Sequence, residues 1–280
     1  MHDVFHSFLK TVEGGEGDRC KYPTRCDMYG CGCYHDCKYC YARSLLEFRK
    51  NWNPEEPSVA DKKEVLKALD TVEKGTILRL GGMTDPFQPC EEEYHMNRWL
   101  IQELNKRGIG YLIVTKGALI LEKNMDVLDK NLAHIQISYT YSRDSYPPDF
   151  ERASPPADRI RVAEKLQSEG FDVALRLSPY IPQFIDMNLI TSCKVDKIIV
   201  EFLRANAMIK KQMPYFDFTA WNRSEAGYSQ LSLSAKKFLL KPLLATGKKI
   251  SVCEDYTPHY EYFKKNVNFD KDDCCGLRKG

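Results

Sequence analysis

Six short runs of mostly apolar, β-branched residues recur along this chain, and stretches of helical character separate most of them. They are 76–82 (TILRLGG), 111–115 (YLIVT), 134–139 (HIQISY), 172–178 (DVALRLS), 197–202 (KIIVEF) and 249–254 (KISVCE). A strand with one wet face alternates apolar and polar residues. These runs do not, as expected of parallel strands covered on both faces. The intervening segments carry helix signals. In 57–70, Val59, Val65, Leu66 and Leu69 fall near helical spacing. Segment 91–108 opens on acidic residues and closes on Lys, Arg and Gly, which suits the helix dipole at both ends. In 154–170, Ser154 is expected to cap a helix, Pro155 to sit in its first turn and Gly170 to stop it. Segment 51–58 reads as a loop and the part after Tyr256 as an irregular tail. The alternation gives an α/β fold, either a parallel barrel or a doubly wound sheet, and 280 residues fit one large domain.

In both architectures function gathers at the C-terminal ends of the strands. That rule singles out Thr84 and Asp85, Lys116, Ser138, Ser178, and Glu201 with Arg204. Arg176 lies inside an otherwise apolar strand, where a charge is costly unless paired, so it is a candidate for the carboxylate of a ligand.

The chain carries eleven cysteines. Its start, MHDVFHSFLK, lacks the basic-then-apolar pattern of a signal peptide, and no run approaches the length of a membrane span. A cytoplasmic protein without membrane contact is therefore expected. In a reducing compartment so many thiols point to metal or redox chemistry rather than a disulfide framework. The net charge of +2 neither demands nor excludes a nucleic-acid partner. Cys20, Cys26, Cys31, Cys33, Cys37 and Cys40 crowd together near the start, Cys253, Cys274 and Cys275 lie near the end, and Cys90 and Cys193 stand alone.

Within the first group, Cys33, Cys37 and Cys40 follow C-x3-C-x2-C, with Tyr39 just before the last cysteine. Three thiolates around an iron–sulfur cluster leave one iron without a protein ligand, where a substrate or cofactor can bind. The alternatives are a zinc knuckle, or a closed four-thiolate cluster that recruits Cys31. Zinc sites usually come as two C-x2-C-type pairs, and no second pair or His-x3-His partner is present.

The motif resembles C-x3-C-x-aromatic-C of the radical S-adenosylmethionine (SAM) superfamily. The stretches GCYHDCKYCYAR, TDPFQPCEEEY, VTKGALIL and FERASPPADRIRVAEKLQSEGFDVALRLSPYIP together resemble its spore photoproduct lyase-like group, also labelled DNA repair photolyase-like, over about residues 25 to 205. The resemblance implies a partial (β/α)6 TIM-type barrel with irregular N- and C-terminal extensions: a barrel domain over 1–256 and a cysteine-containing tail, 257–280, packed on it. It also implies an oxygen-sensitive enzyme holding a 4Fe-4S cluster on Cys33, Cys37 and Cys40. One electron from the cluster, supplied by flavodoxin or ferredoxin, cleaves SAM to methionine and a 5′-deoxyadenosyl radical. That radical abstracts a hydrogen atom from the substrate.

Residue by residue, the lyase pattern places Thr84, Asp85, Lys116 and Ser138 near SAM; Tyr39, beside the last cysteine, and the strand residue Arg176 are further candidates for contact with the cofactor. A carboxylate suits the ammonium of SAM, a lysine its carboxylate, and hydroxyls its ribose. The Gly-Gly-Glu of the wider superfamily appears here as GGMTD, so Asp85 is expected to stand in for the glutamate. Tyr39 and Tyr41 match tyrosines linked to radical relay, although core packing explains a loop aromatic equally well. Glu201, Arg204, Tyr180 and the segment around Arg143 are candidates for the substrate mouth, and His35 reads as a polar loop residue.

Two departures matter. Where the lyases carry a hydrogen-donating cysteine this chain has Met83, a thioether with no S–H to give, and Cys90 is the nearest substitute. Cys20, Cys26, Cys31, Cys253, Cys274 and Cys275 lie outside the motif and are candidates for a second iron–sulfur cluster or a zinc site. The expected reaction is modification or rearrangement of a nucleic-acid base or a nucleotide-related molecule, with DNA or a nucleotide as partner, rather than photoproduct repair. Peptide or protein modification is one alternative, and a non-catalytic iron–sulfur or zinc protein is another.

Overall fold

The computed structural model describes residues 4–142 and 150–278; the candidate mouth residue Arg143 lies outside them. One eight-stranded sheet organises the chain: β1 (Leu9–Thr11), β2 (Thr24–Cys26), β3 (Ile77–Leu80), β4 (Gly110–Thr115), β5 (Ala133–Ser138), β6 (Asp172–Tyr180), β7 (Lys197–Phe202) and β8 (Lys249–Val252). Its spatial order is the chain order, and every pair from β2 to β8 is parallel, with β1 antiparallel to β2. A doubly wound sheet reverses its order at a switch point. A sheet that only ever adds the next strand beside the last is a barrel wall. Because β1 and β8 remain the two edges, the barrel is partial.

All six expected strands appear, as β3 to β8. β1 and β2 are three residues each, too short to show periodicity, yet β2 delivers the chain into the cysteine motif. Between strands run α1 (Tyr41–Phe48), α2 (Lys62–Leu69), α3 (Met96–Arg107), α4 (Ala118–Glu122) and α5 (Pro156–Ser168). The helix expected over 91–108 is broken, because His95 adopts φ 51 between a short turn, Glu91–Tyr94, and α3. Ser154 does not cap its own helix; its Oγ accepts from Leu119 N at 3.1 Å and ties α4 to the start of α5. The segment after Tyr256 is not wholly irregular, since Thr257–Asn266 forms helix α6.

Successive residues of a strand face opposite sides of the sheet. Leu78, Leu80, Tyr111 and Ile113 join the main core, whereas Ile77, Leu112 and Val114 turn to the other face and pack with Tyr22, Cys274, Cys275 and Leu277. The C-terminal tail therefore fills the second face of the sheet. Polar contacts hold it there. Asp172 accepts from Arg278 N at 2.8 Å, Lys197 Nζ donates to Gly276 O at 3.1 Å, and Tyr22 donates to Asp273 at 2.6 Å. All eleven cysteines are free thiols. Among the described residues no helix is long and apolar enough to cross a membrane.

Candidate active site

β2 ends at Cys26, and the backbone then enters a loop that the sequence forces into tight turns. Cys31 and Asp36 adopt φ 63 and φ 46, and Gly32 adopts φ 116 with the Trp52 ring 2.7 Å from where a Cβ would stand, so no larger residue fits. Cys33 O accepts from Asp36 N, Cys37 O accepts from Cys40 N, and Cys40 caps α1, its Sγ accepting from Arg43 N at 3.5 Å. The loop is pinned from outside as well: Tyr34 N donates to the Gln88 side chain at 2.8 Å, Lys38 N to Phe150 O and Arg152 N to His35 O. Asp36 pairs with Lys38 and Arg43. Burial pushes the Cys33, Cys37 and Cys40 thiols above the ordinary cysteine value.

The ends of the next strands face this loop. The turn after β3, Gly81-Gly82-Met83-Thr84, closes over Asp27, whose carboxylate accepts from Gly82 N at 2.8 Å and from Thr84 N and Oγ1 at 3.2 Å each. Asp85 is tied on both oxygens. Oδ1 accepts from Phe87 N at 2.9 Å and Thr115 Oγ1 at 2.5 Å; Oδ2 accepts from Lys116 N at 2.7 Å and lies 3.4 Å from His35 Nδ1. Burial opposes its ionisation, but His35 and these donors hold it at about 2. Lys116 extends over the Tyr39 ring, 5.4 Å from its centre, and stays charged: burial works against the ammonium while Cys37, Glu151 and Asp85 favour it. Arg176 is paired, as burial requires, donating to Gln136 at 2.9 Å and to Glu201 at 2.7 Å. Burial again opposes the charge on Glu201, yet Arg176 and Arg204 hold its carboxyl at about 2.

Tyr39 points inward. Its hydroxyl donates to Glu151, which also accepts from Thr140 at 3.0 Å and pairs with Arg159, both partners fully buried. Tyr41 is 42% exposed and its hydroxyl donates to Gly82 O at 2.6 Å. These contacts expose what sequence reasoning missed. Asp27, Glu151, Arg159 and Gln88 build the frame of the site, although Glu151 and Arg159 sit in the FERASPPADR stretch as charges next to a helix start.

One cavity of about 390 Å³ gathers the result. Cys33, Cys37 and Cys40 line it with Tyr39, Tyr41, Thr84, Asp85, Lys116, Ser138 and Arg176, and with Met83, Glu201 and Arg204. Tyr180 does not line it; its hydroxyl donates to Leu239 O at 3.1 Å. Cys90 is also outside, just before the Glu91–Tyr94 turn, its thiol pushed up to about 12 by burial and by Glu91. The six further cysteines do not form one group. Cys26 is buried on β2 and Cys31 contacts Ser58, while Cys20, Cys253, Cys274 and Cys275 share a second, smaller cavity.

Comparison with known proteins bears on the family and the fold. Residues 28–188 match the radical SAM superfamily. An uncharacterized protein of Mycobacterium tuberculosis is 28% identical over 169 residues, 55% of this chain and 49% of that protein. One of Methanocaldococcus jannaschii is 26% identical over 162 residues, 57% of this chain and 61% of that protein. The matched region thus spans about half to three-fifths of the length of these relatives. Among solved structures, spore photoproduct lyase complexed with dinucleoside spore photoproduct superposes with a TM-score of 0.64 at 14% identity, covering 90% of this chain and 80% of the lyase. A radical SAM methyltransferase from Sphaerobacter thermophilus gives a TM-score of 0.55 at 14% identity, covering 82% of this chain and 65% of that one. At such identity these likenesses show the fold.

Proposed function

Because this chain belongs to the radical SAM superfamily and is an enzyme, we propose that it abstracts a hydrogen atom from a nucleic-acid base or nucleotide-related substrate. The observation that carries the reading is the single cavity on which three thiols, Thr84, Lys116, Ser138 and Arg176 converge at the C-terminal ends of parallel strands. Superfamily membership implies a 4Fe-4S cluster and SAM, and the donor set fits them. Cys33, Cys37 and Cys40 all line the cavity, while Cys31, the fourth thiol near the loop, is turned to Ser58. Three thiolates hold a cluster and leave one iron open. When bound, the pair supplies one-electron cleavage of the sulfonium and a 5′-deoxyadenosyl radical.

The chain's own residues do the rest. Lys116 offers a fixed positive charge to a carboxylate, and Thr84 and Ser138 offer hydroxyls for a ribose. Asp85 ties the β3 and β4 ends together through Thr115 Oγ1 and Lys116 N and holds its carboxylate 3.4 Å from His35 of the cysteine loop. The buried Tyr39–Glu151–Arg159 contacts hold the loop's aromatic as a packed wall. Residues 1–256 are read as the catalytic barrel and 257–280 as a tail on it. Arg25 and Arg204, with Tyr41, Trp52 and Tyr228, line the same cavity. Guanidinium groups and aromatic faces suit an unstacked base and its phosphate, which supports the nucleic-acid substrate over a peptide. A flavodoxin- or ferredoxin-type donor is read as the electron source.

The test is anaerobic reconstitution with SAM and dithionite, followed by analysis for 5′-deoxyadenosine. Its formation by wild-type protein and its absence in the Cys33→Ala, Cys37→Ala and Cys40→Ala variants are expected. A Cys33→Ala protein that cleaves SAM normally would overturn the reading. Untargeted comparison of nucleosides from cells with and without the gene tests the substrate class, and a change confined to peptides would favour the alternative.

A further inference from the structure

Cys20, Cys274 and Cys275 lie outside the cavity above and Cys253 stands on its wall, and the fold brings the four together from both ends of the chain around a second cavity of about 50 Å³. All four side chains line this cavity, and Cys274 and Cys275 pack in one cluster with Leu112 and Tyr22 beside it. Two donors in the same wall are unsatisfied. Gln136 Nε2, on a residue only 1% exposed, and Arg79 Nε have no hydrogen-bond partner. Gln136 cannot turn its amide around freely, because its Oε1 accepts from Arg176 at 2.9 Å. A buried, unmade hydrogen bond costs about 1–3 kcal/mol, and native proteins seldom leave one without cause. Both residues line this cavity, so polar groups stand unsatisfied in its wall.

We infer that Cys20, Cys253, Cys274 and Cys275 hold a second iron–sulfur cluster. Four thiolates around such a cluster carry net negative charge, which matches Gln136, Arg79 and the neighbouring Arg176. Zinc fits less well. Thiolates closing on one zinc ion at about 2.3 Å leave no space between them, whereas one water occupies only about 10–15 Å³ of such a cavity, so 50 Å³ takes a polyatomic group. Among the described residues no three His, Cys, Asp or Glu side chains are grouped to hold a single ion, and that holds for Cys33, Cys37 and Cys40 too. With every iron ligated by cysteine the second cluster has no open site and binds no SAM. Cys253, Arg79, Arg176 and Glu201 line both cavities, so the two share a wall one layer of side chains thick.

The inference stands apart from the SAM reading, and iron and sulfide analysis of anaerobically purified full-length protein tests it. Wild-type protein is expected to hold about eight irons and eight sulfides per chain, four of each per cluster. A variant with Cys33→Ala, Cys37→Ala and Cys40→Ala should keep about four of each and lose all SAM cleavage. Adding Cys253→Ser and Cys274→Ser should remove the remainder, whereas adding Cys193→Ala should not. About four irons in wild-type protein with none in a triple variant of unaltered circular dichroism would overturn the second cluster, and so would zinc without sulfide. An iron-loaded triple variant beside a wild type that never yields 5′-deoxyadenosine would instead sink the SAM reading alone.

Discussion

Each oxygen of the Asp85 carboxylate has two lone pairs, and the protein already engages three of them through Phe87 N, Thr115 Oγ1 and Lys116 N, with His35 Nδ1 3.4 Å away. Asp85 and Lys116 therefore differ in what their loss does. Asp85→Asn replaces an acceptor with a donor that faces other donors and removes the negative charge beside His35, so the β3 and β4 ends loosen against the cysteine loop; iron content should fall along with SAM affinity. Lys116→Met removes a charge over Tyr39 and leaves the loop tied. Iron should be unchanged and SAM affinity should fall by about 1.5–3 kcal/mol, roughly 10- to 150-fold. Iron analysis beside equilibrium dialysis with labelled SAM separates the two, and equal iron in both variants would refute the distinction. The Glu151–Arg159 pair makes a different prediction. Truncating Glu151 to Ala strands a fully buried guanidinium and should destabilise the fold by about 3–5 kcal/mol in urea unfolding. Tyr39→Phe removes one hydroxyl from the same group and should cost about 1–3 kcal/mol while SAM cleavage persists. Lost cleavage in a stable Tyr39→Phe protein would mean that the phenol takes part in the chemistry.

At the level of elements, β6 and the C-terminal tail are joined at Asp172, which is buried and accepts from His134 at 2.7 Å, from Lys197 and from Arg278 N. Burial by itself would raise its pKa, but these donors hold the carboxyl well below the usual range. A depressed folded pKa contributes stability above the unfolded value of about 3.9 and loses it as pH falls through that value toward the folded one. Asp172→Asn should therefore be about 1.5–3 kcal/mol less stable than wild type at pH 7, with the difference shrinking steadily below about pH 4. Urea midpoints across that range check it, and a difference constant with pH would show that the charge is immaterial. Such ties were hard to read from sequence. The apolar runs that became β3 to β8 were legible because burial on both faces leaves a continuous hydrophobic record. The latch was not, because Asp172 opens a strand and meets Arg278 only once the chain has folded. The same holds for α6, whose His259 and Phe263 are buried while its remaining residues are polar enough to read as tail.

For the whole molecule, periodicity could not choose between a barrel and a doubly wound sheet, since strand order is set by pairing between distant segments. The resemblance carried by the cysteine motif chose correctly. The same resemblance predicts photoproduct repair less well, and the cavity sharpens that contrast. A repair lyase must return a hydrogen atom to the thymine radical once the bridging bond breaks, and the donor must stand beside the base. At the position that carries the donor in the lyases this cavity has Met83, which has no S–H. Cys90 does not line it. The two tyrosines of the loop have their hydroxyls engaged, Tyr39 with Glu151 and Tyr41 with Gly82 O. Beyond Cys33, Cys37 and Cys40, Cys253 is the remaining cysteine on the wall among the described residues, and as a ligand of the second cluster inferred above it would carry no hydrogen to give. This protein is therefore expected to open a synthetic spore-photoproduct dinucleotide poorly under reducing, anaerobic conditions, with the product radical quenched by reductant into adducts rather than returned as two thymines. Chromatography and mass spectrometry of the products decide it. Clean, multiple-turnover conversion to the thymine dinucleotide would defeat the prediction, and its loss in Cys253→Ser would make that thiol the donor and remove it from the second cluster.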